Sequence, residues 1–203
     1  MICIIDYGAG NIESVRKALE YIGAQCVVSA DKEVLAKADA AILPGVGSFG
    51  DAMNELRSRN LEEPIKDFIA SGKPFLGICL GLQILFESSE ESPGAVGLGV
   101  LKGKIVRIPD GEGLKIPHMG WNSFNIQKDD ALFKGIEGEP YVYFVHSYYL
   151  KAEEDIVTST AEYGVNIHAS VAKGNLRACQ FHPEKSGELG IKILKNFVAT
   201  IGG

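Results

Sequence analysis

What this 203-residue sequence lacks narrows it first. It has no cluster of lysines or arginines. Twenty basic against 26 acidic residues leave a net charge of −6, which argues against a nucleic-acid surface. Its apolar runs are short and broken by charges, so none is expected to cross a membrane. Residues Met1 to Asp6 carry neither a basic region nor a cleavage site and read as a first strand, not an export signal. Cysteine is sparse: Cys3, Cys26, Cys79 and Cys179 form no Cys-x-x-Cys pair and no Cys/His zinc spacing. That pattern predicts reduced thiols in a cytoplasm, with no metal and no cofactor. No internal repeat and no linker rich in Pro, Gly or Ser divides the chain, so residues 1–203 are expected to form one domain.

What is abundant is glycine, 24 of 203 residues, against a usual share of about 7%. Such an excess predicts tight turns or backbone that approaches a ligand closely. The first half alternates apolar strands with amphipathic helices. Ile2–Ile5, Val27–Val28, Ala40–Leu43 and Phe75–Ile78 read as strands, and Ile12, Val15, Leu19 and Ile22 fall at helical spacing. A helical stretch from Asp51 to Ile69 is expected to break at Pro64. Continuous apolar strands separated by helices predict a parallel sheet buried on both faces. In the second half, Val100–Ile108, Tyr141–Leu150, Ile156–Ala161 and His168–Gln180 read as strands with mixed or antiparallel pairing. Leu189, Ile193, Phe197 and Ile201 mark a last helix.

The most informative segment is Gly77-Ile78-Cys79-Leu80-Gly81, between an apolar strand and the helical residues Leu82, Leu85 and Phe86. It is the nucleophile-elbow pattern with cysteine in place of serine. The turn is so sharp that residues two before and two after the nucleophile must lack side chains. The thiol falls at a helix start, where backbone N–H groups favour thiolate. The Leu80 N–H is placed to donate to an oxyanion. Cys3, Cys26 and Cys179 lie in apolar strand patterns and read as ordinary core thiols.

A thiolate nucleophile needs a base, and the base an orienting partner. Among His118, His146, His168 and His182, only His182 has a carboxylate within two positions, Glu184 in His182-Pro183-Glu184. In extended chain, residues i and i+2 point the same way, so Glu184 could bond the ring that His182 presents to Cys79. A third piece, Leu43-Pro44-Gly45-Val46-Gly47-Ser48-Phe49-Gly50, could bring a second N–H to the same oxyanion. Phosphate binding is the rival reading of this loop, but no lysine stands at Walker spacing. Asp6–Asn11 is only half a dinucleotide fingerprint, because Glu13 occupies the third glycine position.

Together the elbow and the late His182-Pro183-Glu184 resemble the class I, triad glutamine amidotransferases. Asp6–Asn11, Pro44–Phe49, His118-Met119-Gly120-Trp121-Asn122 and Tyr143–Tyr148 are similar to the histidine-biosynthetic branch of that family, and the resemblance spans nearly the whole chain. It implies a three-layer, flavodoxin-like α/β fold with a mostly parallel central sheet and an added antiparallel portion. It also implies glutamine as substrate, hydrolysed through a Cys79 thioester, with His182 as acid and base and Glu184 holding the ring. The oxyanion hole would come from Leu80 and the Val46 peptide, with Gly47, Gln83, Ser147 and Tyr148 at the substrate. The implied partner is a separate (β/α)8-barrel cyclase that uses the ammonia to make imidazole glycerol phosphate and a purine precursor. Trp121 and Lys185 are expected at the interface with it. The alternatives are a glutaminase for another ammonia-using synthase, or a cysteine hydrolase or redox protein on the same elbow.

Overall fold

The computed structural model describes residues 1–202. The apolar runs form β1 (Ile2–Ile5), β2 (Cys26–Ser29), β3 (Ala40–Leu43) and β4 (Phe75–Ile78). Between them lie α1 (Ile12–Tyr21), α2 (Lys32–Lys37), α3 (Phe49–Ser58) and α4 (Glu62–Ala70), and a single turn, α5 (Leu80–Gln83), follows β4. The remaining elements are β5 (Ser88–Ser89), β6 (Gly103–Arg107), β7 (His118–Ser123), β8 (Asn125–Ile126), β9 (Tyr141–His146) and β10 (Tyr148–Ala152). After these come β11 (Val157–Glu162), β12 (Asn166–Lys173), β13 (Leu176–Cys179) and α6 (Gly187–Val198).

The central sheet has the order β2-β1-β3-β4-β13-β12-β11-β8. Its first five strands are mutually parallel, and the rest add antiparallel. Because both faces are covered, alternate residues of one strand enter different cores. Cys3 and Ile5 pack with α2, α3 and α4, whereas Ile2 and Ile4 pack with α1 and α6. This is the three-layer α/β arrangement that the strand patterns imply. The ribbon β7–β9 and the sheet β10-β6-β5 stand outside the main sheet.

Several expected boundaries move. The helical stretch breaks at Asn60, not at Pro64. Asn60 takes a left-handed φ of 56°, its N–H donates to Arg57 O, and the Leu61 N–H reaches back to Leu56 O. This paired closure ends a helix with a left-handed residue. Pro64 instead sits in the first turn of α4, where its missing N–H has no intrahelical acceptor to lose. The expected strand Tyr141–Leu150 divides at Ser147, because β9 pairs with β7 and β10 with β6. The expected strand His168–Gln180 is a hairpin turning at Gly174, φ 59°. Within Val100–Ile108 only Gly103–Arg107 is strand.

Candidate active site

In parallel α/β sheets, sites form outside the carboxyl ends of the strands. Here β1 ends at Ile5 and leads into Tyr7, β3 runs into Pro44–Gly47, β4 into Cys79, and β13 into Gln180 and His182. One cavity of about 330 Å³ lies at that edge, lined by Val46, Gly47, Cys79, Leu80, Gln83, Ser147, Tyr148 and His182, and also by Glu91, Val145, His146 and Lys185. A cleft of about 360 Å³ between α2 and α4 carries no thiol and no imidazole.

Cys79 has φ 54° and ψ −109°, a conformation that L-residues rarely adopt. The flanking glycines are required by contact. A Cβ on Gly81 would lie 1.8 Å from Leu43 O, and one on Gly77 would lie 2.7 Å from Gly81 O. Gly45 is packed as tightly, since its Cβ would meet the Tyr7 hydroxyl at 2.5 Å. The elbow is tied to β13 by Cys79 N–H donating to Cys179 O at 2.8 Å. The helix after it is shorter than expected. Leu85 and Phe86 donate to residues three back, closing α5 after one turn, and are buried in the core with Leu82. The N–H groups of Leu82 and Gln83 both return to the Cys79 carbonyl. Leu80 N–H, at the first position, has no intrahelical acceptor.

His182 is 1% exposed, and its N–H donates to Tyr143 O at 2.9 Å, which pins it to β9. Its Nδ1 bonds Glu184 Oε1 at 2.7 Å, leaving Nε2 without a hydrogen-bond partner. The backbone between them is not extended: Pro183–Lys185 is one 3-10 turn, so Glu184 reaches back across the turn. Asn11 Nδ2 donates to the same Oε1 at 3.2 Å. Burial alone would lower the His182 pKa, but the neighbouring Cys79 and Glu184 outweigh it and push it up to about 10. Both partners thus favour the imidazolium form of the ring.

The other thiols differ. Burial raises Cys3 to about 11 and Cys179 well above the thiol range. Cys26 is half-buried on the edge strand β2, packed against the core on the α1 side of the sheet. Among the histidines, burial pulls His118 down to about 4 and His146 down to about 3. Both rings are neutral and linked in series. Asn122 Nδ2, also bonded to Glu162 O, lies 3.3 Å from His118 Nε2. His118 Nδ1 is 3.0 Å from His146 Nε2, and His146 Nδ1 is 2.9 Å from Tyr148 O. This series braces the cavity wall.

Gln83 is buried, and its Nε2 donates to Tyr148 O and to Gln180 Oε1, each at 3.0 Å. Both amide hydrogens are used within the protein, leaving only its oxygen for a ligand. Gly47, at φ 99°, leads into Ser48, whose hydroxyl caps α3 by accepting from Asp51 N–H. Trp121 is 57% exposed and stacks edge-on against Tyr143, and Lys185 Nζ lies 5.9 Å from the same ring. The sequence reading missed Asn11, His146 and Gln180 at the site. Gln180, two residues before His182 on the same strand exit, could have been found from the parity argument applied to Glu184.

A cysteine on a strand–helix elbow, backed by a buried His–Glu pair at the carboxyl edge of such a sheet, is an arrangement suited to cysteine-dependent acyl transfer. Residues 3–201 match the family model for glutamine amidotransferase class-I. The chain is 51% identical over 201 residues to imidazole glycerol phosphate synthase subunit HisH of Methanothermobacter thermautotrophicus, covering 99% of each. It is 52% identical over 198 residues to the HisH subunit of Caldanaerobacter subterraneus subsp. tengcongensis, covering 97% of each. Among solved structures, a glutamine amidotransferase superposes with a TM-score of 0.77 at 20% identity over the whole of both chains. PurLQS from Thermotoga maritima superposes with a TM-score of 0.75 at 25% identity, over 98% of this chain and 97% of the other. The chain belongs to the class-I glutamine amidotransferase family, in its HisH branch.

Proposed function

We propose that this chain is the glutaminase subunit of an imidazole glycerol phosphate synthase. It hydrolyses glutamine to glutamate and ammonia and delivers the ammonia to a cyclase subunit that makes imidazole glycerol phosphate and AICAR in histidine biosynthesis. The observation that carries this reading is Cys79 and His182 lining one cavity, in a chain half identical to HisH subunits over nearly its full length. The relatives are named as subunits of a synthase, which supports a partner polypeptide, here a (β/α)8-barrel cyclase. The cytoplasm is the compartment that four unpaired thiols fit.

In the proposed reaction, Cys79 Sγ attacks the side-chain amide carbon of glutamine, and the carbonyl electrons move onto oxygen. Leu80 N–H and an N–H of the Val46 peptide, beside Gly47, donate to that oxyanion. Removing one such donor costs roughly 10²–10³-fold in rate. His182 gives its proton to the leaving nitrogen, the C–N bond breaks, and ammonia departs from the thioester. Water then loses a proton to His182 and adds to the thioester carbon, and the Cys79 thiolate leaves with glutamate released. Glu184 keeps Nε2 of the ring facing the reaction and stabilises the imidazolium. Ser147, Tyr148 and the Gln83 oxygen hold the polar groups of the substrate. Trp121 and Lys185, grouped on Tyr143 beside the cavity, face the cyclase.

The test is to reconstitute the chain with the cyclase subunit and supply either glutamine or ammonium as the nitrogen source. Cys79→Ala should abolish glutamine-dependent synthesis of imidazole glycerol phosphate and leave ammonium-dependent synthesis intact. Glutamine-dependent synthesis that survives Cys79→Ala, or failure of the two subunits to associate, would contradict the proposal.

A further inference from the structure

Gln180 takes no part in the reaction described above, yet it is completely buried and its side chain ends against the nucleophile. Its Nε2 donates to Cys79 Sγ at 3.6 Å. A buried amide could be turned either way, and the neighbours here select one orientation. The Gln83 side-chain atom that faces the Tyr148 carbonyl must be a donor, so it is nitrogen. Its second hydrogen faces Gln180, which must present oxygen there. The Gln180 nitrogen is left on the sulfur side. Sheet register explains the meeting. Cys179 pairs with Ile78 on parallel strands, so the next residues, Gln180 and Cys79, leave the sheet together.

Helix α5 supplies little to the sulfur. It is one turn long, and the N–H groups of Leu82 and Gln83 are bonded to the Cys79 carbonyl. An amide donor bonds an anion more strongly than a neutral acceptor, so a donor aimed at sulfur favours thiolate. We propose that Gln180 is a positioning residue for the nucleophile: its amide, oriented by Gln83, donates to the Cys79 sulfur and holds it as an attacking thiolate. The inference rests on the reading of Cys79 as the nucleophile. The ionisable groups around the sulfur are His182 with Glu184 behind it, Tyr7 just beyond β1, and Cys179 on β13. His146, Glu91 and Lys185 stand on the cavity wall. The test leaves all of these in place.

The experiment follows the rate of iodoacetamide alkylation against pH in a Cys26→Ser background, because Cys3 and Cys179 are fully buried. Gln180→Met removes the donor at similar length. Gln180→Asn withdraws it by one methylene while keeping a polar partner for Gln83, so the measurement survives if the methionine variant fails to fold. In each, the half-maximal pH should rise by about one unit, slowing alkylation about tenfold at a fixed pH below the midpoint. A merely structural role would lower the melting temperature and leave the midpoint unmoved, and that result in a folded variant overturns the inference. Cys79→Ala separates the two readings: if it leaves the fast alkylation intact, Cys79 is not the activated thiol and the reaction proposed above fails first.

Discussion

Cys79 holds a left-handed backbone that costs an L-residue roughly 1–3 kcal/mol. The surrounding contacts leave it no alternative. Gly81→Ala would drive a methyl into the Leu43 carbonyl, so the elbow must distort. Chemical denaturation should show a loss of roughly 3 kcal/mol, with glutaminase activity gone. Glu184→Gln should lower kcat by about 10²-fold or more, because the ring loses its orienting carboxylate. It also has a pH signature. The His182 pKa in the folded state is raised to about 10 from an ordinary 6.5. The stabilisation this brings is therefore complete below pH 6.5 and is lost as pH rises through 10. Cys79, the larger of the two raising partners, remains in Glu184→Gln. The melting-temperature gap between wild type and this variant should therefore be widest at and below pH 6.5 and narrow toward pH 10 by Glu184's share alone. A gap that stays constant across that range would contradict the charged pair.

Among the elements, the α3–α4 junction gives the clearest test. Asn60→Val should cost about 1–2 kcal/mol, since a branched residue resists the left-handed conformation that closes α3. Pro64→Ala, in the first turn of α4, should change stability by less than about 1 kcal/mol. Equilibrium unfolding of both variants checks the pair, and the opposite ranking would restore Pro64 as the breaker. This junction also shows what the sequence could reveal. β1, β3 and β4 were legible because strands buried on both faces are uniformly apolar, and the elbow because two glycines flank one cysteine. The break at Ser147 was not legible. Tyr141–Leu150 is continuously strand-like, and only the change of pairing partner, from β7 to β6, divides it. The short reach of α5 was hidden for a similar reason. Leu82, Leu85 and Phe86 fit a helix, yet core packing takes them in a tighter turn. The link from Gln180 to Cys79 depends on strand register, which no local pattern carries.

At the scale of the whole molecule, all the carboxyl ends that matter converge on one edge, and the exposed Met119 and Trp121 of β7 stand near it. Trp121→Ala and Lys185→Ala should each weaken binding of the cyclase subunit about tenfold, as read by calorimetry, while the free chain keeps its melting temperature. Unchanged affinity in both would remove this surface from the interface. The central claim is that Cys79 carries glutamine hydrolysis. It is tested most directly by ammonia release from glutamine by wild type and Cys79→Ala, with the cyclase subunit and its nucleotide ligand present. Release by wild type and none by Cys79→Ala is the predicted result. Equal release by both, or none from wild type with the complex formed, would contradict it.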